Sequence, residues 1–396
     1  MMKIVADENI PGVAPAFTTL GDLTLLPGRS LRARDVRDAD VLVVRSVTHV
    51  GAELLDGSRV RFVGTATIGF DHVDRDYLRR RGIGFAAAPG SNATSAAEYV
   101  ISALLALGER EGFNLAERTV GIVGCGNVGA RVRARLAALG CDCLVNDPPL
   151  RELGGHADFV DLPDILRADI ISVHVPLEKG GRHPTWHLID AAVVRRLKPR
   201  AILVNTSRGA VVDNAALDAL LATRQDLSVV LDVWEEEPAI NTELLQKVAL
   251  GTAHIAGYSL DGKLRGTEMI YRAACDYFGR RPQWNAGAVL SAGTRLDLRG
   301  PQGGDALASF RQAVFHAYDI RADDERLRGL LTLPPAERSA GFDRLRKEYP
   351  VRREFAATTV IIDGDAARLE ELLRAVGFEV IVGSAYPAGY DTGTPG

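Results

Sequence analysis

Short runs of aliphatic and β-branched residues recur through the first 90 or so positions: KIVAD from residue 3, DVLVVRS at 40–46, VRFVGTAT at 60–67 and GIGFAAAP at 82–89. None alternates strictly between apolar and polar, so each is predicted as a strand covered on both faces, as in a parallel sheet flanked by helices. NATSAAEYVISALLALGER follows, with Asn92 or Ser95 as candidate N-cap of a long Ala- and Leu-rich helix that bridges two domains. A second series of strands then begins: TVGIVG at 119–124, DCLVND at 142–147, DIISVHVPL at 169–177, AILVNTS at 201–207 and SVVLDVW at 228–234. Helical stretches at 126–139, 189–196 and 213–222 separate most of them. Such alternation requires right-handed crossovers and therefore a second parallel sheet.

Beyond IAGYSLDGKLRG a further helix ends near Phe278, and its predicted place is back against the first domain. Gly, Pro, Arg and Asn accumulate over 279–305. Helical stretches near 305–317, 323–331 and 336–348 precede ATTVIID, the helix DAARLEELLRAVGF and EVIVGS. A βαβ-like unit of about 40 residues rarely stands alone. The segment is therefore read as an appended α/β domain for self-association, with the last ten residues frayed.

Composition narrows the partners. A chain of 396 residues exceeds one hydrophobic core, and its 46% hydrophobic and 25% charged content is that of an ordinary globular protein. A net charge of −4 offers no general attraction to nucleic acid or anionic membrane, so a small-molecule partner is expected, held by local arginines and backbone amides. MMKIVADENIPG carries no export-signal pattern, and a cytoplasmic location is expected. The four cysteines make no disulfide framework; Cys141 and Cys143, two apart on a predicted strand, read as buried thiols.

The strand TVGIVG runs directly into Gly124, Gly126 and Gly129. In a GxGxxG at a strand-to-helix turn, the first two glycines allow a tight turn and close approach of a pyrophosphate, and the third lets helix and strand pack. Asn127 and Val128, between them, open the helix whose N-terminus faces the negative charge. Asp147 closes the next strand where ribose hydroxyls would lie, and its carboxylate repels a 2′-phosphate, so NAD is the expected cofactor. The predicted fold is α/β. A Rossmann-type doubly wound parallel domain at 93–256 is inserted in a smaller flavodoxin-like substrate-binding domain made of 1–92 and 257–282, and a C-terminal α/β dimerisation domain occupies 283–396.

Three residues downstream of that loop each follow a predicted strand: Arg208 in NTSRGAVVD, Glu237 in DVWEEEP and His254 in GTAHIAGYS. A guanidinium pairs a carboxylate through two hydrogen bonds and polarises the neighbouring carbon. Removing hydride from an alcohol requires removal of the hydroxyl proton, which an imidazole backed by a carboxylate can take. Singly, Arg208 reads equally well as an edge ion pair, and His254 as a core histidine. Together, beside a nucleotide loop, they predict oxidation of a 2-hydroxy acid. His183 and His187 are four apart, but in a Pro-containing loop, so no metal site is expected; His174 is expected to shape the cofactor pocket.

VGIVGCGNVG, HVPL, NTSRG, DVWEEEP and H-x-A-G occur in the order found in the D-2-hydroxyacid dehydrogenases, which the chain resembles over roughly residues 1–280. VRSVTHV, VGTATIGFDHVD, PGSNATSAAEYV, NDPP and HIAGYSLDGKLRGTE are similar to a branch of that superfamily that oxidises a phosphorylated four-carbon hydroxy acid in vitamin B6 synthesis and dimerises through an extra C-terminal domain. The resemblance implies Ser46, Thr67 and Tyr258 as substrate contacts, and Asp147, Val175 (through its backbone), Asp232 and Gly257 as NAD contacts. It implies Arg208 and Glu237 as catalytic supports and His254 as acid–base residue, all facing one interdomain cleft. Closure of that cleft to exclude water would place hinges near 92–112 and 257–262. Amides near Ile68 and Gly69 would join Arg208 on the carboxylate, and Arg45, Lys263 or Arg265 is the candidate holder of the phosphate. Departures from the common pattern are Cys125 in the glycine loop, Val175 in place of Thr, and Ala253 in place of Pro. A phosphoglycerate or hydroxypyruvate dehydrogenase, and a non-catalytic NAD sensor, are the competing readings.

Overall fold

The computed structural model describes residues 1–154, 159–299, 305–364 and 366–383, so the last ten residues lie outside the described part. Contacts divide the chain into two compact units. One comprises Met1–Ser95 with Gly257–Ser291, the other Ala96–Ala256 with Ala292 onward. The chain crosses between them at Ser95–Ala96, Ala256–Gly257 and Ser291–Ala292, the first within and the second at the edge of the segments expected to carry hinges.

In the first unit β1 (Met2–Asp7), β2 (Gly21–Leu26), β3 (Val41–Val44), β4 (Phe62–Thr65) and β5 (Gly84–Ala86) form a parallel sheet in the order β2-β1-β3-β4-β5. This is the flavodoxin-like order 2-1-3-4-5. Successive side chains of β3 point to opposite faces, so both must be covered. Val41 and Val43 pack with Phe17, Ile270 and Tyr271, and Leu42 and Val44 with Leu54, Leu55, Tyr77 and Leu78. That explains the unbroken apolar run. The helix Leu260–Tyr277, which follows His254, supplies the first of these covers. β2 was not expected from the sequence: as an edge strand it shows an alternating exposed pattern over only six residues and has β1 as its single neighbour.

The second unit holds β6 (Thr119–Val123), β7 (Asp142–Asn146), β8 (Ile170–Val173), β9 (Ile202–Asn205), β10 (Ser228–Leu231) and β11 (Leu250–Gly251), all parallel in the order β11-β10-β9-β8-β6-β7. Phe159 makes a parallel bridge to Val145 on the far side of β7, at the place a third strand of the doubly wound order would occupy. Connections therefore leave β6 in opposite directions, and a crevice opens at the carboxyl ends of β6 and β8. Cys141 lies one residue before β7 and is buried, while Cys143 on the strand is half-buried. Burial pushes their thiols up to about 12 and about 11.

A third parallel sheet, β12 (Thr294–Asp297), β13 (Thr358–Asp363) and β14 (Glu379–Gly383), runs in the order β12-β13-β14. This segment, expected as a domain of its own from residue 283, has its own sheet, and by contacts Ala292 onward groups with the second unit. Leu327, Leu330 and Phe342 lie in the same core as Leu217, Leu244 and Leu245. Arg328 donates to the carbonyls of Leu245 and Val248 at 2.7 and 2.9 Å, and Arg135 Nε to that of Val376 at 3.0 Å. No helix among the described residues is long and apolar enough to cross a membrane.

Glu98 sits at this junction, buried with Arg352 and Glu354. Its Oε1 accepts the Phe355 N–H at 2.9 Å, and the guanidinium nitrogens of Arg352 and Arg135 stand 3.9 Å from its oxygens. Burial pushes the carboxyl up to about 8, because the two arginines are too distant to offset desolvation and Glu354 adds a like charge. A carboxyl raised by folding favours the folded state fully only below its unfolded value, near 4.5, and that contribution drains away as pH climbs through about 8. Glu98→Gln keeps the acceptor and cannot ionise. Its unfolding midpoint should therefore gain on that of the parent protein as melts are moved from about pH 5 to about pH 8; a pH-independent difference would show that Glu98 stays charged throughout.

Candidate active site

The glycine loop is shaped partly by the protein and partly for a ligand. Gly124 has φ 88°, and a side chain there would come within 2.8 Å of Val175 Cγ1. A Cβ on Gly129 would collide with the Gly124 carbonyl oxygen, so this glycine lets the helix Asn127–Ala138 seat on the turn. Gly126, at the helix N-cap, has nothing within 4 Å of where its Cβ would be. That open face, at the start of the helix where the amides of Asn127 and Val128 lie, fits a pyrophosphate. Asp147 does more than mark the ribose position: its Oδ2 accepts the Cys125 N–H at 2.8 Å and its Oδ1 the Leu150 N–H at 3.0 Å, tying the loop to the end of β7. Spare lone pairs on both oxygens remain for hydroxyl donors. NAD fits these residues.

The chemistry-bearing groups stand at the carboxyl ends of β9, β10 and β11. Past β9, buried Asn205 organises the turn, its Oδ1 accepting from Ser207 and its Nδ2 donating to the Arg208 carbonyl at 3.0 Å. Arg208 Nη1 donates to the Ser207 carbonyl at 2.8 Å, which aims the guanidinium. A Cβ on Gly209 would collide with the backbone of Trp234. Glycine at 209 thus allows the Arg208 turn to approach the turn that carries Glu237. Trp234 is buried; its Nε1–H donates to the Thr252 carbonyl and its backbone N–H to Glu237 Oε1, both at 2.9 Å.

His254 Nδ1 lies 2.7 Å from Glu237 Oε2. Burial raises the Glu237 carboxyl, but the charge and hydrogen bond of His254 and the Trp234 amide outweigh it, leaving it below the usual carboxylate range. An ionised carboxylate only accepts, so Nδ1 carries the proton and Nε2 is turned outward. His254 itself has φ 54°, a left-handed backbone uncommon for a non-glycine residue. It is held there by Asp232, 1% exposed, whose carbonyl takes the His254 N–H at 2.7 Å and whose carboxylate accepts from Thr252 Oγ1, Ile255 N and Ala256 N at 2.7, 2.7 and 3.0 Å. Three donors leave that carboxylate one further acceptor position. Arg208, Glu237 and His254 all line one cavity of about 340 Å³.

Trp186, Lys179 and Glu235 share that lining and were not anticipated from the sequence. Trp186 stacks on His187 at 3.8 Å, and His187 Nε2 meets Glu235 Oε1 at 2.9 Å. Ligand atoms of His187, Asp213 and Glu235 lie within 4.8 Å of one another. The two carboxylates also serve backbone amides, Glu235 that of Asn214 and Asp213 that of Ala216, so the cluster braces the turn. His183 pairs separately with Glu152 at 2.9 Å. His174 is held between Ser172 and Thr206, and burial pushes it down to about 3, so it is neutral.

In the first unit, Ser46 is exposed just past β3. Thr67 Oγ1 donates to the Gly69 carbonyl at 2.9 Å beside Thr65 Oγ1, close to the expected amides of Ile68 and Gly69. A Cβ on Gly257 would strike the Asn92 side chain. Tyr258 carries Lys263 Nζ over its ring at 4.2 Å. Arg45 grips buried Asp7 through Nε and Nη2 at 2.8 and 3.2 Å, and Arg265 Nη1 donates to the Ser91 carbonyl. The three cations expected to hold a phosphate therefore each have a partner inside the protein.

Residues 94–256 match the family described as D-isomer specific 2-hydroxyacid dehydrogenase, NAD binding domain, and residues 294–377 match a domain of unknown function. Erythronate-4-phosphate dehydrogenase of Cronobacter sakazakii is 50% identical over 380 residues, 95% of this chain and 98% of that protein. The enzyme of the same name from Azotobacter vinelandii is 50% identical over 388 residues, 96% of this chain and 100% of its own length. Among solved structures, NAD⁺-bound 3-phosphoglycerate dehydrogenase of Entamoeba histolytica shares the fold, with a TM-score of 0.61 and 23% identity over 70% of this chain and 95% of that one. With Arg208, Glu237 and His254 gathered on one cavity and likeness at this level across nearly its whole length, the chain belongs to the erythronate-4-phosphate dehydrogenases, within the D-isomer specific 2-hydroxyacid dehydrogenases.

Proposed function

We propose that this chain oxidises 4-phospho-D-erythronate to (R)-3-hydroxy-2-oxo-4-phosphooxybutanoate with NAD. The observation that carries the reading is the Glu237-backed imidazole of His254 on the same cavity as the Arg208 guanidinium. Arg208 clamps the substrate carboxylate and draws electron density from C2, and His254 Nε2, the ring nitrogen not engaged by Glu237, takes the C2 hydroxyl proton. As that O–H bond breaks, its electron pair forms the C2 carbonyl and the C2 hydrogen departs with the C–H bonding pair. This hydride is what bound NAD takes up. Glu237 keeps the proton on Nδ1 and stabilises the imidazolium that results. Ser46, Thr67 and Tyr258 are assigned to the substrate, with Asp147, Val175, Asp232 and Gly257 on the cofactor. The unused acceptor position of Asp232 suits a carboxamide N–H.

Self-association belongs to the same reading. On β13 the buried Thr358, Val360 and Ile362 alternate with half-buried Thr359 and Ile361, so one face of the C-terminal sheet is covered and the other open. Ile381 on β14 is paired in register with Ile361 and is 48% exposed. An apolar pair on an open sheet face suits burial against a second copy, and a homodimer through this face is proposed.

His254→Ala should lower turnover of 4-phosphoerythronate by roughly 10²–10⁴, the usual worth of a positioned acid–base group. Glu237→Gln should cost at least about tenfold with NADH binding intact. NADH absorbance in a panel that includes 3-phosphoglycerate and glycerate checks both variants and the substrate; near-normal turnover by His254→Ala would remove it from the mechanism. Sedimentation of Ile381→Glu should show monomer with unchanged far-UV circular dichroism. A stable dimer in that variant would place the interface elsewhere.

A further inference from the structure

The substrate of the proposed reaction carries two anionic groups, and Arg208 accounts for only one. Among the lining residues of the cavity the other cation is Lys179. Its loop is pinned at the base: buried Thr185 donates through Oγ1 to the Pro176 carbonyl and accepts the Glu178 N–H at 2.7 Å. The Glu178 carbonyl in turn accepts the N–H groups of Thr185 and Trp186 at 2.8 and 3.1 Å. Lys179 thus extends from a fixed backbone position, directly after the carbonyl that anchors Trp186 across the loop. Lys179 has no hydrogen bond or ion pair among the described residues. Arg45, by contrast, is closed onto Asp7, Arg265 donates to the Ser91 carbonyl and Lys263 lies over Tyr258.

Charge on the cavity wall sharpens the point. Glu235, Glu236 and Glu237 all line it. Glu237 is engaged by His254 and Glu235 by His187 and the Asn214 amide, while Glu236 is exposed. A phosphate dianion entering beside these carboxylates is repelled unless a cation meets it, and a lysine ammonium on a flexible stem is well suited to that as a compact point charge.

We propose that Lys179 holds the terminal phosphate of the substrate and thereby sets the preference of this site for a phosphorylated over an unphosphorylated 2-hydroxy acid. The assignment rests on reading the cavity as the hydroxy-acid site. With carboxylate on Arg208 and C2 hydroxyl on His254, the far end of a four-carbon acid is left for Lys179.

The test compares the parent protein, Lys179→Met and Lys179→Arg on 4-phosphoerythronate and on erythronate, with NADH binding followed by fluorescence. Loss of a hydrogen bond between charged groups should raise KM for the phosphorylated acid roughly 10–100-fold in Lys179→Met with a much smaller change in kcat. The ratio of kcat/KM between the two acids should collapse, Lys179→Arg should recover most of it, and the affinity for NADH should hold. An unchanged KM, an equal loss on both acids, or weakened NADH binding would overturn the assignment. Failure of the parent protein itself to oxidise 4-phosphoerythronate would overturn the substrate reading beneath it, a result that shows without any variant.

Discussion

One buried carboxylate sets the geometry on which the reaction centre depends. Asp232 is enclosed at the end of β10 and takes three hydrogen bonds from the segment Thr252–Ala256, while its own carbonyl takes a fourth from His254. A lone charge in such a place costs several kcal/mol. Each hydrogen bond to a charged group returns roughly 1.5–3 kcal/mol, so the carboxylate is tolerated only while the segment wraps around it. Burial still leaves its carboxyl raised, with the charge of His254 pulling the other way. The wrapped segment is the one that forces His254 into a left-handed backbone and turns its ring toward Glu237.

From this anchor the remaining parts follow by close approach. Gly209 lets two turns touch, one ending in Arg208 and the other leading through Trp234 to Glu237. Trp234 reaches across to the Thr252 carbonyl, and Thr252 to Asp232, so the turns after β9, β10 and β11 form one hydrogen-bonded block. Tyr99 adds a bond from the long helix to Thr252 at 2.8 Å. Positioned side chains on such a block lose little entropy when substrate binds. At the other end of the crevice, Asp147 plays a comparable part for the glycine loop, its carboxylate fixing the turn through the Cys125 and Leu150 amides.

Much of this was legible in the chain. Central strands such as Val41–Val44 and Ile170–Val173 are covered on both faces, and an uninterrupted apolar run is what that environment demands. The glycine loop was legible for a similar reason: Gly124 and Gly129 permit no ordinary side chain because a neighbouring side chain or backbone lies against them, and Gly126 faces open space beside the helix start. Edge strands were harder. Gly21–Leu26 and Thr294–Asp297 each have one neighbour and mixed exposure, so their composition carries little constraint. The C-terminal segment has a sheet of its own, but its helices also bury Leu327, Leu330 and Phe342 in the nucleotide unit's core, and nothing in an amphipathic helix says which core it joins.

The sequence by itself determined the two large parallel sheets and the dinucleotide loop, and singled out Arg208, Glu237 and His254, which the fold brings to one cavity, since each rests on local pattern or on chemistry that admits few residue types. Tertiary structure alone decided the second task of Asp147 and Asp232 as backbone clamps, the neutral state of His174, and the closing of Arg45 onto Asp7. It also brought Lys179 and Trp186 to the wall of the cavity. The reason is physical: a side chain's type fixes what it can bond to, whereas its partner, its burial and hence its charge depend on residues tens to hundreds of positions away that only folding brings near.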